Sequence, residues 1–285
     1  MLQNVDGLEY RWHYEAEPLP ATCYVRYLCR LAGARPAPPF KVLKPVTQRH
    51  RWLVYFIFAP AGKLEPYHHF SLRKLRQHDA GLLVIFAGKV PGEIPAAIAD
   101  VADACYWKGL NGYDFSAYSI ALNAIATHSP GADVLVMNDS VFGPLVDLTP
   151  FLDDAPWNLT GFTATNVSGQ KHIQSYAFIL KDVTADRLHA LRWIFPERFA
   201  FNSAVGAVSC QELWFARVAS RSMLVGSYWY GEDAVSHDPS LTRAVALVEA
   251  GFPFLKRSLL GKHKKFQPAG EVEQLLKRLD CNAAP

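Results

Sequence analysis

Apolar positions along the chain follow two different periods. Three short runs are apolar almost throughout: WLVYFIFA (52–59), LLVIFA (82–87) and DVLVMN (133–138). Such runs predict strands buried on both faces of a sheet. ACYW (104–107) is a shorter run of the same kind. Between them, apolar residues recur at helical spacing in YHHFSLRKLRQ (67–77), IPAAIADVA (94–102) and FSAYSIALNAIATH (115–128). The last follows a turn at Asn111-Gly112, and Asp114 stands where it can cap that helix. Strand and helix alternate with short connections, which predicts a parallel sheet covered by helices on both faces.

Beyond residue 150 the pattern changes. NLTGFTAT (158–165) and IQSYAFILK (173–181) are strand-like, with a polar loop over 166–172. Helical spacing then prevails over 185–194, 211–221, 241–250, 254–260 and 271–279. The first 50 residues are irregular apart from a short helix within 23–31, and ARPAPPFKVLKP (34–45) reads as an extended linker. The expected organisation is a lead-in over 1–50 and one α/β domain over 51–285, with a Rossmann-type, mostly parallel sheet and a helical C-terminal part.

Composition narrows the functional classes. Half of the 285 residues are hydrophobic, which argues against extensive disorder. The net charge is +3 and shows no clustered basic face of the kind nucleic acid requires, so no nucleic-acid partner is expected. The five cysteines are odd in number and form no C-x2-C pair, which speaks against a zinc site or a disulfide framework. The longest apolar run, 52–60, is far shorter than the ~20 residues that span a bilayer, and a soluble cytoplasmic chain is expected.

In an open parallel sheet, ligands collect at the carboxyl ends of the strands. Three polar stretches follow strands here: 59–62, Asn111 to Asp114, and Asn138-Asp139-Ser140. A parallel sheet would set all three on one rim. No G-x-G-x-x-G, P-loop, G-x-S-x-G or H-E-x-x-H motif is present, which removes the dinucleotide, P-loop, α/β-hydrolase and zincin readings. An acid at the end of a central strand suits a nucleotide-sugar enzyme, whose diphosphate leaving group must be neutralised. A second carboxylate would deprotonate the acceptor hydroxyl.

Four ordered stretches, NGYDFSAYSIAL (111–122), VLVMNDSVFGPL (134–145), HIQSYAFIL (172–180) and GFPFLKRSLL (251–260), resemble the rhamnan synthesis protein F family. The resemblance covers roughly residues 51–260. It implies a GT-A-like glycosyltransferase, in particular a rhamnosyltransferase, building bacterial cell-surface polysaccharide or lipopolysaccharide O-antigen. It implies a nucleotide-sugar donor, dTDP- or GDP-rhamnose, and a lipid-linked or polysaccharide acceptor. A looser similarity to the GT-A class sets Asn111-Gly112 before a strand that ends in an aspartate motif. By that analogy Asp139 faces the donor diphosphate or a divalent cation, Mg²⁺ or Mn²⁺. The sequence departs from D-x-D, because only one of positions 138–140 is acidic. That departure keeps open a non-catalytic carbohydrate-binding or assembly subunit.

Each candidate also has a plain structural reading. Asn138, Asp139 and Ser140 are turn formers as well as donor ligands. Asn111 and Asp114 serve a turn and a cap, and Tyr113 stacks on a base or packs in the core. His172-Ile173-Gln174-Ser175 begins a strand, so His172 and Gln174 should point together, facing either the donor or solvent. Lys256 neutralises phosphate or is solvated. Glu212 is the leading acceptor base, with Asp233 as its competitor. His68 and His69 read as helix surface. The basic run 262–265 is a solvated tail or a contact for anionic lipid at the inner face of the plasma membrane.

Overall fold

The apolar runs form the middle of one sheet. In the computed structural model, which describes residues 3–167, 169–232, 238–268 and 270–279, the chain opens with β1 (Glu9–His13), α1 (Ala21–Leu31), β2 (Arg35–Pro36) and β3 (Phe40–Lys44). The alternating part follows as β4 (Arg51–Phe58), α2 (Pro66–Leu75), β5 (Gly81–Ala87), α3 (Ala96–Val101), β6 (Ala104–Lys108), α4 (Tyr113–His128) and β7 (Ala132–Asn138). Next come β8 (Val141–Phe142), α5 (Thr149–Asp153), β9 (Leu159–Val167), β10 (Gln170–Ile173), β11 (Ala177–Val183), α6 (Ala185–Ala190), β12 (Phe199–Ala200) and α7 (Ala204–Ala207). A π-helical turn (Val208–Glu212) leads into α8 (Leu213–Ala219), then β13 (Val225–Gly231), α9 (Pro239–Thr242), α10 (Ala244–Glu249), β14 (Leu255–Lys256) and α11 (Glu271–Arg278).

The main sheet runs β1-β13-β9-β11-β7-β4-β5-β6-β3, with β10 paired to β9. Its centre, β7-β4-β5-β6, is parallel, as the strand–helix alternation predicts. Outside that centre most pairings are antiparallel: β11 lies between β7 and β9, and β10 folds back on β9. The short connections over 158–183 leave no room for a crossover helix, so those strands form hairpins. The two edges come from the first 50 residues, through β1 on β13 and β3 on β6. These strands are mostly solvent-facing, so they carry no apolar signature; of β1 only Trp12 is buried.

Three sequence expectations change. The run 173–181 is two strands broken at 174–176, and the polar 166–172 segment is a hairpin between β9 and β10. Residues 254–260 are not an α-helix. Leu255 and Lys256 pair with Phe142 and Val141, and a single 3₁₀ turn follows. A helix of that length is marginal alone, so the tertiary pairing decides. The helices expected over 185–194, 211–221 and 241–250 are shorter or broken.

Alternate residues of the central strands feed two cores. Leu53, Tyr55, Ile57, Val84 and Phe86 face α2 and α3, while Trp52, Val54, Phe56, Leu83 and Ile85 face α4. Each such side chain, fully buried, contributes roughly 1.5–3 kcal/mol. That burial holds rigid the edge from which the polar stretches emerge.

Candidate active site

Because β4, β5, β6 and β7 are parallel, their carboxyl ends share one edge. Asp139 lies just past β7. Its backbone N–H donates to Phe56 O at 3.0 Å, and its Oδ2 accepts from the Phe58 N–H at 3.0 Å. The same Oδ2 meets His68 Nε2 at 3.2 Å. His68 Nδ1 accepts the Glu65 N–H at 3.0 Å, so the neutral ring carries its proton on Nε2 and donates to Asp139. His68 is 1% exposed, which corrects its surface reading: the capping box at Glu65 turns the imidazole inward. His69 is exposed.

The pairing of β14 with β8 brings a cationic segment to this carboxylate. The Arg257 N–H donates to Ser140 O at 3.1 Å, and Arg257 Nη1 donates to Asp139 O. Its guanidinium lies 4.0 Å from Asp139 Oδ2 and 3.5 Å over the Tyr67 ring. Burial pushes the Tyr67 hydroxyl up to about 12, against the pull of Arg257. Lys256 Nζ sits 3.6 Å from Asp238 Oδ2 and 3.9 Å from the centre of the Tyr176 ring. Ser140, Lys256, Arg257, Ser258, Lys262 and His263 line a cavity of about 540 Å³.

Asn138 ties this group to a second carboxylate. Its Nδ2 donates to Asp114 Oδ2 at 2.9 Å, and its Oδ1 accepts from the Ser140 N–H and hydroxyl at 3.0 and 2.5 Å. Asp114 is not the cap of α4. Gly112 is, at φ 90°, and Asp114 sits in the first turn, with Oδ1 accepting the Phe115 N–H at 3.0 Å. Burial raises its carboxyl to about 6, and Glu212 adds to the rise. Lys108 at the end of β6 is fully buried and donates to Asn111 O at 2.9 Å. Burial lowers its ammonium to about 8, with Asp114 opposing. Glu212 closes the π-helical turn, and its Oε2 accepts the Ser175 N–H at 3.0 Å and the Ser175 hydroxyl. π-turns of this kind concentrate at functional sites.

Asp114, Asn138, Asp139 and Ser140 are thus joined by hydrogen bonds and the backbone, with Glu212 electrostatically coupled to them through Asp114. Lys256 reaches the same rim through β14, and Asn111 contributes its carbonyl to Lys108. Tyr113 is 43% exposed at φ 49°, outside the core. His172 and Gln174 are buried, and they hydrogen-bond within the β9–β10 hairpin: His172 Nδ1 with Gln170 O, and Gln174 N–H to Thr163 O. The break after Ile173 removes the strand in which they were to share a face. Asp233 lies outside the described residues. Sequence reasoning missed Lys108, Ser175 and Arg257. The signals were faint: a lysine ending a strand, and an arginine beside Lys256.

Asp139 is the expected cation ligand. Among the described residues no three His, Cys, Asp or Glu are grouped to hold a metal. Both hydrogen bonds of its carboxylate fall on Oδ2, which leaves Oδ1 for a cation. Mg²⁺ often binds through one carboxylate plus substrate phosphates, so the residues fit a cation that arrives with a diphosphate rather than a closed cage.

The sequence model of rhamnan synthesis protein F matches residues 82–282, well over half of the chain. The chain belongs to the rhamnan synthesis protein F family. No curated protein matches this family member at a significant level. Among solved structures it is similar to S. aureus TarS 1–349 in complex with UDP-GlcNAc: 13% identity, 82% of each chain covered, TM-score 0.39. The mannosyltransferase PcManGT of Pyrobaculum calidifontis, with GDP-Man and Mn²⁺, gives 15% identity, 81% and 70% coverage, and TM-score 0.39. The inositol-1-phosphate CTP transferase of T. maritima gives 8%, 84% and 100%, and 0.42. Likenesses this distant say nothing of this chain's chemistry.

Proposed function

We propose that this family member is a glycosyltransferase that takes a nucleotide-activated sugar, rhamnose by the family's name, and transfers it to a hydroxyl of a growing bacterial surface polysaccharide. The observation that carries the reading is the junction of Asp139 with the Lys256–Arg257 segment at the carboxyl rim of the parallel strands. A braced carboxylate stands against Arg257, and Arg257 and Lys256 both line the adjacent cavity, which offers a nucleoside diphosphate two cationic partners. In this reading Arg257 and Lys256 bind the diphosphate and stabilise its charge as the glycosidic bond breaks. Tyr113, exposed on the same rim, stacks on the base. Asp139 would hold a divalent cation that arrives with the diphosphate, and such a cation would neutralise charge on the leaving group. His68 and the Phe58 N–H hold the Asp139 carboxylate in place. Asn138 and Asp114 fix the loop behind it.

Glu212 takes the proton of the acceptor hydroxyl, with Ser175 orienting its carboxylate. The acceptor oxygen attacks the anomeric carbon, the bond to the diphosphate oxygen breaks, and the nucleoside diphosphate leaves. The test is turnover of dTDP-, GDP- and UDP-sugars by the purified chain, with Mg²⁺, Mn²⁺ or EDTA, with and without an oligosaccharide acceptor. One donor should turn over, and Asp139→Asn should lower that turnover about 10²-fold or more. The lone acid at 138–140 favours one second reading, a non-catalytic carbohydrate-binding subunit. Acceptor binding with no turnover of any donor would decide for it.

A further inference from the structure

Helix α1 lies on the outside of the molecule, and none of its residues is buried. Its sequence, ATCYVRYLCRL, has two arginines and no acid. One side leans on the body, with Tyr27 and Tyr24 ring centres 4.7 and 5.4 Å from that of Trp214. The next side faces solvent, with Tyr24, Val25 and Leu28 exposed by 42, 58 and 61%. A groove of about 300 Å³ runs along this face, between α1 and Trp193, Trp214 and Arg221. Trp193 is itself 46% exposed. The neighbouring π-turn is tied to α1 by Arg30 to Ser209 Oγ and by Cys210 Sγ to Tyr27 O. It adds Val208, 42% exposed.

Single exposed apolar residues are ordinary, but a contiguous set marks a docking face. We infer that this face docks on an anionic lipid bilayer, with α1 lying in the plane of the interface. Three observations favour lipid. The helix is amphipathic, with cationic flanks and no acid, as interfacial helices are. Its exposed apolar residues mix aliphatic side chains with Tyr and Trp, which settle at the headgroup level, while Arg26 and Arg221 can bury their stems and reach the phosphates. At about 16 Å, eleven residues of helix are too short to span, and no described helix is long and apolar enough to cross a membrane. A second copy packed face to face would set Arg26 and Arg30 against their own kind.

The inference is independent of the donor chemistry, and its test keeps the two apart. Vesicles of phosphatidylglycerol and phosphatidylethanolamine, or of phosphatidylcholine alone, are floated with the full chain. Wild type should float at least tenfold better with the anionic vesicles, and raised salt should weaken the binding. Leu28→Glu and Val25→Glu should lose binding at least tenfold, and Arg26→Glu severalfold, with melting temperatures unchanged because these side chains are exposed. A fluorophore on Cys29, the exposed thiol of α1, should shift to the blue on binding only in the wild-type background. Asp139→Asn should float like wild type, so loss of turnover and loss of docking fail separately. Wild type that ignores anionic vesicles, or Leu28→Glu that binds as well as wild type, overturns the inference. So does self-association that Leu28→Glu abolishes without any vesicle binding, which would assign the face to a second copy.

Discussion

His68 Nε2 stands 3.2 Å from Asp139 Oδ2, and that contact fixes where the rim's carboxylate points. The backbone N–H of Glu65 chooses the tautomer, so a helix cap three strands away in sequence sets the geometry of the site. Asp139→Asn should lower kcat/KM for the donor about 10²-fold or more, as loss of a charge aimed at the reacting diphosphate does. His68→Ala should cost less, about tenfold, and should act through kcat more than KM, because the carboxylate remains but loses its aim. His68→Gln, whose amide can still donate, should recover part of it. Steady-state kinetics on the three variants check this; equal losses in His68→Ala and His68→Gln would argue against positioning.

Arg257 and Lys256 are adjacent in sequence, yet both are needed only if the diphosphate lies between β14 and Ser140. Arg257→Ala and Lys256→Ala should each weaken binding of the nucleoside diphosphate about tenfold, roughly the value of one charge-assisted contact. The wild-type affinity should fall with salt, and less steeply in either variant. Titration calorimetry at two ionic strengths reads both effects.

The parallel centre of the sheet was legible because its strands are apolar almost throughout, as strands buried on both faces are. The rim followed from it, and Asn138, Asp139, Ser140 and Asp114 were found that way. The edge strands were not legible, because β1 and β3 bury too little for a period to show. Lys256 was found for a helical setting that does not exist; its placement comes from pairing with Val141, a contact across 115 positions that no local pattern encodes. His68 was misjudged for the same reason, since its partner is Asp139 and not a neighbour on α2.

The two buried titrating groups behind the rim give the stability a pH signature. The Asp114 carboxyl rises to about 6 in the fold from an ordinary value near 3.8. Between those values the folded chain binds more protons than the unfolded chain, so stability falls as pH rises from about 4 to 6 and then levels off. Lys108 drops to about 8 from 10.5, so the unfolded chain binds more protons there and stability rises as pH goes from 8 to 10.5. Asp114→Asn should flatten the first limb and raise stability at pH 7 by about 1–2 kcal/mol. Lys108→Met should flatten the second. Urea midpoints against pH, measured on each variant, separate the limbs.

Gly112 caps α4 at φ 90°, and its N–H donates to Asn202 Oδ1 at 2.9 Å. A Cβ there would lie 2.6 Å from Ser116 Oγ and 2.9 Å from Ala200 Cβ. Gly112→Ala should therefore destabilise by about 1–3 kcal/mol, from the left-handed backbone and the contact together. The melting temperature reads that loss.

Glu212→Gln separates acceptor activation from donor binding. The carboxylate accepts from Ser175 through Oε2 alone, which the amide oxygen of glutamine reproduces, so the fold and the π-turn should persist. What the amide cannot do is take a proton. Transfer to an acceptor hydroxyl should fall about 10²–10⁴-fold, the usual worth of a general base. The affinity for the nucleoside diphosphate should stay within about twofold, because Arg257 and Lys256 are untouched. The Asp114 carboxyl should also titrate lower once the charge beside it is removed. A variant that transfers at the wild-type rate would move the base away from Glu212, and the search would pass to Asp233.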